Sequence, residues 1–150
     1  MFLKVLLSLC MTSGFFLLPF TTPTAQAQVV LGYKTGLKKA RQENKWVLVQ
    51  FESDLCKYCA QMTREFRESP AVSALLKEHF VWVKIHRTED AALTQKFGVW
   101  NYPWMMILKS DGSKLADMPG YQSPETMADL LRFFITESYT TMDLETFRKR

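Results

Sequence analysis

The chain has 150 residues, 47% of them hydrophobic and 23% charged, with a formal net charge of +4. That size and balance suit one globular domain and exclude a fibrous or disordered chain. The basic residues Lys38, Lys39, Arg41, Lys45, Arg64 and Arg67 are scattered along the chain, and "RKR" is confined to the C-terminus. They read as a solvated surface rather than a nucleic-acid patch.

The first 27 residues read as a signal peptide. Lys4 precedes an apolar run from Val5 to Leu18, Pro19 and a polar stretch follow, and "AQA" (Ala25 to Ala27) stands before Gln28. This three-part order predicts cleavage after Ala27 and export. The run is shorter than the about 20 apolar residues of a membrane-spanning helix. Cys10 leaves with the leader, and bulky Leu9 before it disfavours lipidation. The remaining chain, 28–150, is expected to be one domain with its core at about 37–138 and a short extension at 139–150.

After the leader, "VVLGYKTGLKKARQENK" predicts a short lead-in and a helix with one narrow buried face at Leu37 and Ala40. "WVLVQF", Trp46 to Phe51, is a continuous apolar run and predicts a strand buried on both faces. "CAQMTREFRE" has helical composition and stops before Pro70. Ser69 and Pro70 then start a second helix as N-cap and first residue. Val81 to His86 is the next strand. "EDAALTQKFG" is a helix closed by Gly98. "WMMILKSDGSKLADMPG" is a hairpin turning at Asp111-Gly112. "SPETMADLLRFFITES" is the last long helix, capped by Ser123 and opened by Pro124, with Met127, Leu130, Leu131 and Phe134 on its buried face. "TTMDLETFRKR" lies beyond it as a short helix suited to docking. Crossovers followed by a hairpin give a three-layer α/β/α sandwich with a mixed central sheet.

Cys56 and Cys59 are the cysteines that remain in the mature chain, in "ESDLCKYCAQM". They could be a redox pair, an inert crosslink or half of a metal site. A bridge across so short a loop stabilises a fold little. A structural zinc wants four ligands, and His79 and His86 are single histidines near strand ends. No metal or cofactor is implied. The strand-to-helix position places Cys56 at a helix N-terminus, where free N–H groups and the helix dipole favour an anion. Lys57 adds positive charge, and both effects favour a nucleophilic thiolate. Cys59, three residues on, shares the helix face and can resolve a mixed disulfide formed by Cys56.

The strand "WVLVQF", the motif "CKYC", the strand "VWVKI" and "FGVWNYPWMMIL" with "DGSKLADMPG" together resemble the thioredoxin family. The likeness runs from Leu37 to Phe134 and implies the thioredoxin fold. It also implies a cis bond at Pro103, with the Tyr102 backbone receiving an extended substrate segment. Gly120 would lie near the same surface, where a side chain would crowd a partner, and Tyr58 would border it. Two departures stand out. Leu55 replaces the family tryptophan before the first cysteine, and Gln50 replaces the usual buried acid. Glu52, on the same side of the strand by alternation, is expected to take over proton handling.

The segments "CKYCAQM", "ESPAV" and "PGYQSPE" look more like exported members. These are periplasmic thioredoxins of sulfur-oxidation systems and the soluble C-terminal domain of the membrane thiol transporter. That resemblance implies a monomeric periplasmic oxidoreductase. It would reduce disulfides in other exported proteins, with electrons from a membrane thiol donor and no nucleic-acid partner. A disulfide oxidase or isomerase, or a binding module that uses the groove without turnover, are the alternatives.

Overall fold

The computed structural model describes residues 27–150. The expected leader, apart from its last residue, and Cys10 lie outside the described residues. Ala27 itself is buried, and its N–H donates to Ser73 Oγ at 3.2 Å, a contact that cleavage after it would remove.

The elements in chain order are β1 (Val29–Leu31), α1 (Tyr33–Glu43), β2 (Trp46–Glu52), α2 (Lys57–Glu68), α3 (Pro70–His79), β3 (Phe80–His86), α4 (Ala91–Lys96), β4 (Trp104–Leu108), β5 (Lys114–Pro119), α5 (Pro124–Ile135) and α6 (Leu144–Arg148). The sheet order is β1-β3-β2-β4-β5. β1 and β2 run parallel to β3, while β4 is antiparallel to both β2 and β5. This is the three-layer sandwich with a mixed sheet that the sequence predicts. The segment read only as a short lead-in forms the edge strand β1. Val29 and Val30 face Trp82 and Val83 of β3, and three residues are too few to show alternation in sequence.

Central β2 is buried on both faces because both faces are covered. Val47, Val49 and Phe51 join Ala40, Val83, Ile85 and Met106 in the layer under α1 and α4. Leu48 packs with Met62, Phe66, Leu76, Met127 and Leu131 under α2, α3 and α5. The element breaks follow backbone chemistry. Ser69 ends α2 and caps α3, its hydroxyl accepting from the Val72 N–H at 3.4 Å, with Pro70 next. Asp90 and Ser123 cap α4 and α5 in the same manner. Gly112 turns the β4–β5 hairpin at φ +94°, a conformation L-residues rarely adopt.

The tail contains the expected helix, α6. Its Leu144 and Phe147 are turned onto the chain's own core, with Phe147 5.4 Å from Phe133 between ring centroids. Among the described residues no helix is long and apolar enough to cross a membrane.

Candidate redox site at the head of helix α2

Strand register gathers the site at one end of the sheet. Phe51 pairs with Trp104, and Trp104 pairs with Pro119. The chain leaving β2 toward Cys56, the segment entering β4 at Pro103, and the segment leaving β5 at Gly120 therefore share that end. The Tyr102–Pro103 peptide bond is cis and Pro103 is buried. The Gly120 N–H donates to Pro103 O at 2.9 Å, joining two of these segments. Gly120 has φ +84°, and a Cβ there would meet nothing within 4 Å. A side chain at Gly120 would be strained and would project into open space.

Cys56 and Cys59 are joined as a disulfide. Cys56 is the N-cap of α2, and its Sγ accepts the Cys59 N–H at 3.1 Å. That is the place where helices favour an Asp or Ser oxygen, because the first backbone N–H groups lack intrahelical partners. A thiolate at Cys56 would therefore be stabilised by a hydrogen bond already present and by the helix dipole. The two sulfurs differ in access: Cys56 is half-buried, while Cys59 is only 2% exposed. A partner disulfide can thus meet the first sulfur and not the second. Lys57 opens the helix and is exposed.

Behind Cys59, the buried Gln50 side chain reaches α2. Its Nε2 donates to Cys59 O at 3.2 Å and to Thr63 Oγ1 at 3.1 Å, and Thr63 Oγ1 donates to Cys59 O at 2.9 Å. Glu52, one alternation further along β2, pairs with Lys84 Nζ at 2.5 Å, both side chains less than one-fifth exposed. Thr63 and Lys84 were not singled out in the sequence. Thr63 lies four residues after Cys59 on one helix face, a signal that could have found it. Lys84 sits opposite Gln50 only through the β2–β3 register. His86 Nε2 lies 3.1 Å from Asp54 Oδ1, and its Nδ1 2.8 Å from Thr88 Oγ1. His79 lies beside Glu78, at the far end of β3.

Among the described residues the exposed large apolar side chains are Leu55, Tyr58, Trp100 and Tyr121. Two flank the cysteines, one lies three residues before Pro103 and one follows Gly120, so all four rim this end of the sheet. Tyr58 and Tyr121 have ring centroids 5.9 Å apart. The Tyr121 hydroxyl donates to Glu65 Oε2 at 2.5 Å, and Gln61 Nε2 donates to Glu65 Oε1 at 2.9 Å. The Tyr121 bond, with the Gln61 bond second, holds the Glu65 carboxyl below its usual range. The same bond is the main cause that raises the Tyr121 hydroxyl. A carboxyl whose pKa falls on folding adds stability above its unfolded value and loses it as pH drops through the folded one. Tyr121→Phe should therefore move the Glu65 titration upward toward the ordinary glutamate range and weaken this acid-side contribution. A side-chain carboxyl titration by NMR reads the shift directly, and an unmoved Glu65 would show that the contact does not hold in solution.

These features define a class: a mixed five-stranded sandwich carrying a CxxC disulfide at a helix N-terminus, with a cis-proline at the same end of the sheet. The chain belongs to the thioredoxin family, for the family described as "Thioredoxin-like domain" matches residues 33–135. Among solved structures, a thioredoxin from Thermus thermophilus superposes with a TM-score of 0.66 and 24% identity, over 75% of this chain and 90% of that one. Among curated proteins, a UBX domain-containing protein 7 homolog of Dictyostelium discoideum is 29% identical over 107 residues, 69% of this chain and 21% of that protein. Protein disulfide isomerase-like 1-2 of Oryza sativa subsp. japonica is 24% identical over 90 residues, 59% of this chain and 17% of that protein. The chain thus spans about one-fifth of the length of the curated relatives it matches.

Proposed function

We propose that the protein is an exported thiol–disulfide oxidoreductase that reduces disulfides in other exported proteins. The observation that carries this reading is the asymmetry of the pair: Cys56 caps α2 and is reachable, while Cys59 is buried behind it. In the reduced protein the Cys56 thiolate attacks one sulfur of a substrate disulfide and expels the other as a thiol. Cys59, once deprotonated, attacks the mixed disulfide at Cys56 Sγ. The substrate leaves with its second thiol, and two electrons have passed from the protein to it. The oxidised pair is then re-reduced by a dithiol donor, which we assign to a membrane thiol carrier in the periplasm. The four exposed apolar side chains around the pair offer an unfolded or extended segment a surface to rest on, and the Tyr102 backbone offers it strand-type hydrogen bonds.

Reduction of insulin by dithiothreitol tests the activity. Acceleration over the uncatalysed rate is expected, and a rate at background would leave only a binding module. A comparison of potential with glutathione decides between reductase and oxidase, since the direction of exchange follows the potential difference.

Within this reading Glu52, ion-paired with Lys84, is the group that accepts the Cys59 proton. General-base assistance contributes on the order of 10²–10⁴-fold. Glu52→Gln should therefore slow release of the mixed disulfide by at least about 10²-fold at neutral pH and shift the pH profile of thiol alkylation. An unchanged profile would remove Glu52 from proton handling.

A further inference from the structure

The helix face that begins at Cys56 continues beyond it. Helical spacing sets Ala60 one turn along that face, Thr63 and Arg64 two turns, and Arg67 three. With Glu68 and with Lys84 of β3, these residues line a groove of about 370 Å³. Ala60 follows Cys59 directly and is exposed. It is also small, so no long side chain stands between the cysteines and the arginines on this face.

The groove is positive. Arg64 and Arg67 are exposed, and among the described residues neither guanidinium is within ion-pair distance of a carboxylate, Glu68 included. Arg67 lies over the buried Trp82 ring, its guanidinium carbon 5.9 Å from the centroid, which orients the charge without cancelling it. Lys84 adds a third cation, shared with Glu52. The opposite flank of α2 has the reverse sign. Glu65 there is kept ionised by the Tyr121 and Gln61 bonds. A segment crossing the head of α2 therefore meets attraction for carboxylates on one side only.

We propose that this groove docks an acidic segment of the substrate protein, whose carboxylates pair with Arg64 and Arg67 while its disulfide lies at Cys56. The proposal rests on the oxidoreductase reading and adds the charge of the substrate to it. The helix sets the spacing. At a rise of about 1.5 Å per residue, Arg64 lies about 12 Å from Cys56 along the axis and Arg67 about 16 Å. An extended chain covers about 3.3 Å per residue, so the carboxylates belong about four and five residues from the substrate cysteine. Arginine suits the task because its planar fork grips a carboxylate through two parallel hydrogen bonds.

Synthetic peptides closed by one internal disulfide test the site, with dithiothreitol as the electron source. One set carries two glutamates about four and five residues outside a cysteine, on the N-terminal or the C-terminal arm, and a matched set carries two lysines there. Exposed ion pairs contribute only a few-fold each, so the better glutamate peptide should exceed its lysine match in kcat/KM by about fivefold or more at low salt. The gap should close as salt rises. Arg64→Gln/Arg67→Gln should bring the preference below about twofold. It should reduce the lysine peptide at least as fast as the parent does, which also shows that it is folded. Lys34→Gln/Lys38→Gln removes the same charge from α1, on the other face of the sheet, and should keep the preference. Glutamate and lysine peptides reduced within about twofold of each other, or a preference that survives the loss of both arginines, would overturn the docking site and leave the oxidoreductase reading standing. A protein that accelerates the reduction of none of them would remove both.

Discussion

Cys59→Ala is expected to give a protein that captures disulfide substrates and holds them, whereas Cys56→Ala captures none. With Cys56 alone, the capped sulfur still attacks, but the mixed disulfide waits for an external thiol. A well-placed intramolecular group acts at an effective molarity of about 10⁵ M or more, so millimolar external thiol replaces it poorly. Turnover in insulin reduction should fall on the order of 10³-fold or more, with mixed disulfide visible on a non-reducing gel and by mass spectrometry. With Cys59 alone, the remaining sulfur is 2% exposed beneath the first turn of α2, and a folded partner cannot reach it. Turnover should fall to background without a trapped species. Equal trapping by the two variants would contradict the assignment of attacking and resolving roles, because it would require Cys59 to be as reachable as Cys56.

The parts of this fold that sequence reveals are those fixed by local chemistry. Ser69-Pro70 separates two helices, Asp111-Gly112 makes a hairpin turn, and Ser123-Pro124 starts α5, each through backbone groups within a few residues. β2 is legible because an apolar run this long has few other uses in a chain of this kind. The cysteines are legible for the same local reason: a CxxC after such a strand falls at a helix start. What stays hidden depends on register between distant segments. β1 has three residues, and its existence rests on the exposed edge of β3. Lys84 beside Glu52 follows from how β3 slides against β2, and Tyr121 beside Glu65 from how the β5–α5 loop crosses α2. Gln50 was visible as a departure from a family acid. Its anchored amide was not, because the partners Cys59 O and Thr63 lie on an element whose rotation over the sheet no local pattern sets.

The largest expected loss of stability lies away from the disulfide, at Gly36. Glycine inside a helix such as α1 costs about 1 kcal/mol relative to alanine, so helix propensity alone predicts that Gly36→Ala stabilises. Packing reverses the sign. A Cβ at Gly36 would stand 2.1 Å from Val83 Cγ2 and 3.3 Å from Val83 Cβ. Val83 cannot swing aside: it is β-branched, fully buried, and sits on β3 between β1 and β2. The helix would have to lift from the sheet along the face where Ala40, Val47 and Val49 are packed. Overpacking of this kind typically costs about 1–3 kcal/mol and sometimes more. The 2.1 Å approach to a fixed side chain puts the cost in the upper part of that range, so with the propensity gain of about 1 kcal/mol subtracted a net loss of about 1–2 kcal/mol is expected, seen as a lower urea midpoint at unchanged slope. Val83→Ala removes the clashing Cγ2 methyl, so the double variant should lose less than the two single losses combined, with a coupling of at least about 1 kcal/mol. The folded fraction should exchange thiols at the normal rate, since α1 covers the sheet face opposite α2. A Gly36→Ala protein as stable as the parent would mean that α1 does not sit against β3 as closely as these contacts require.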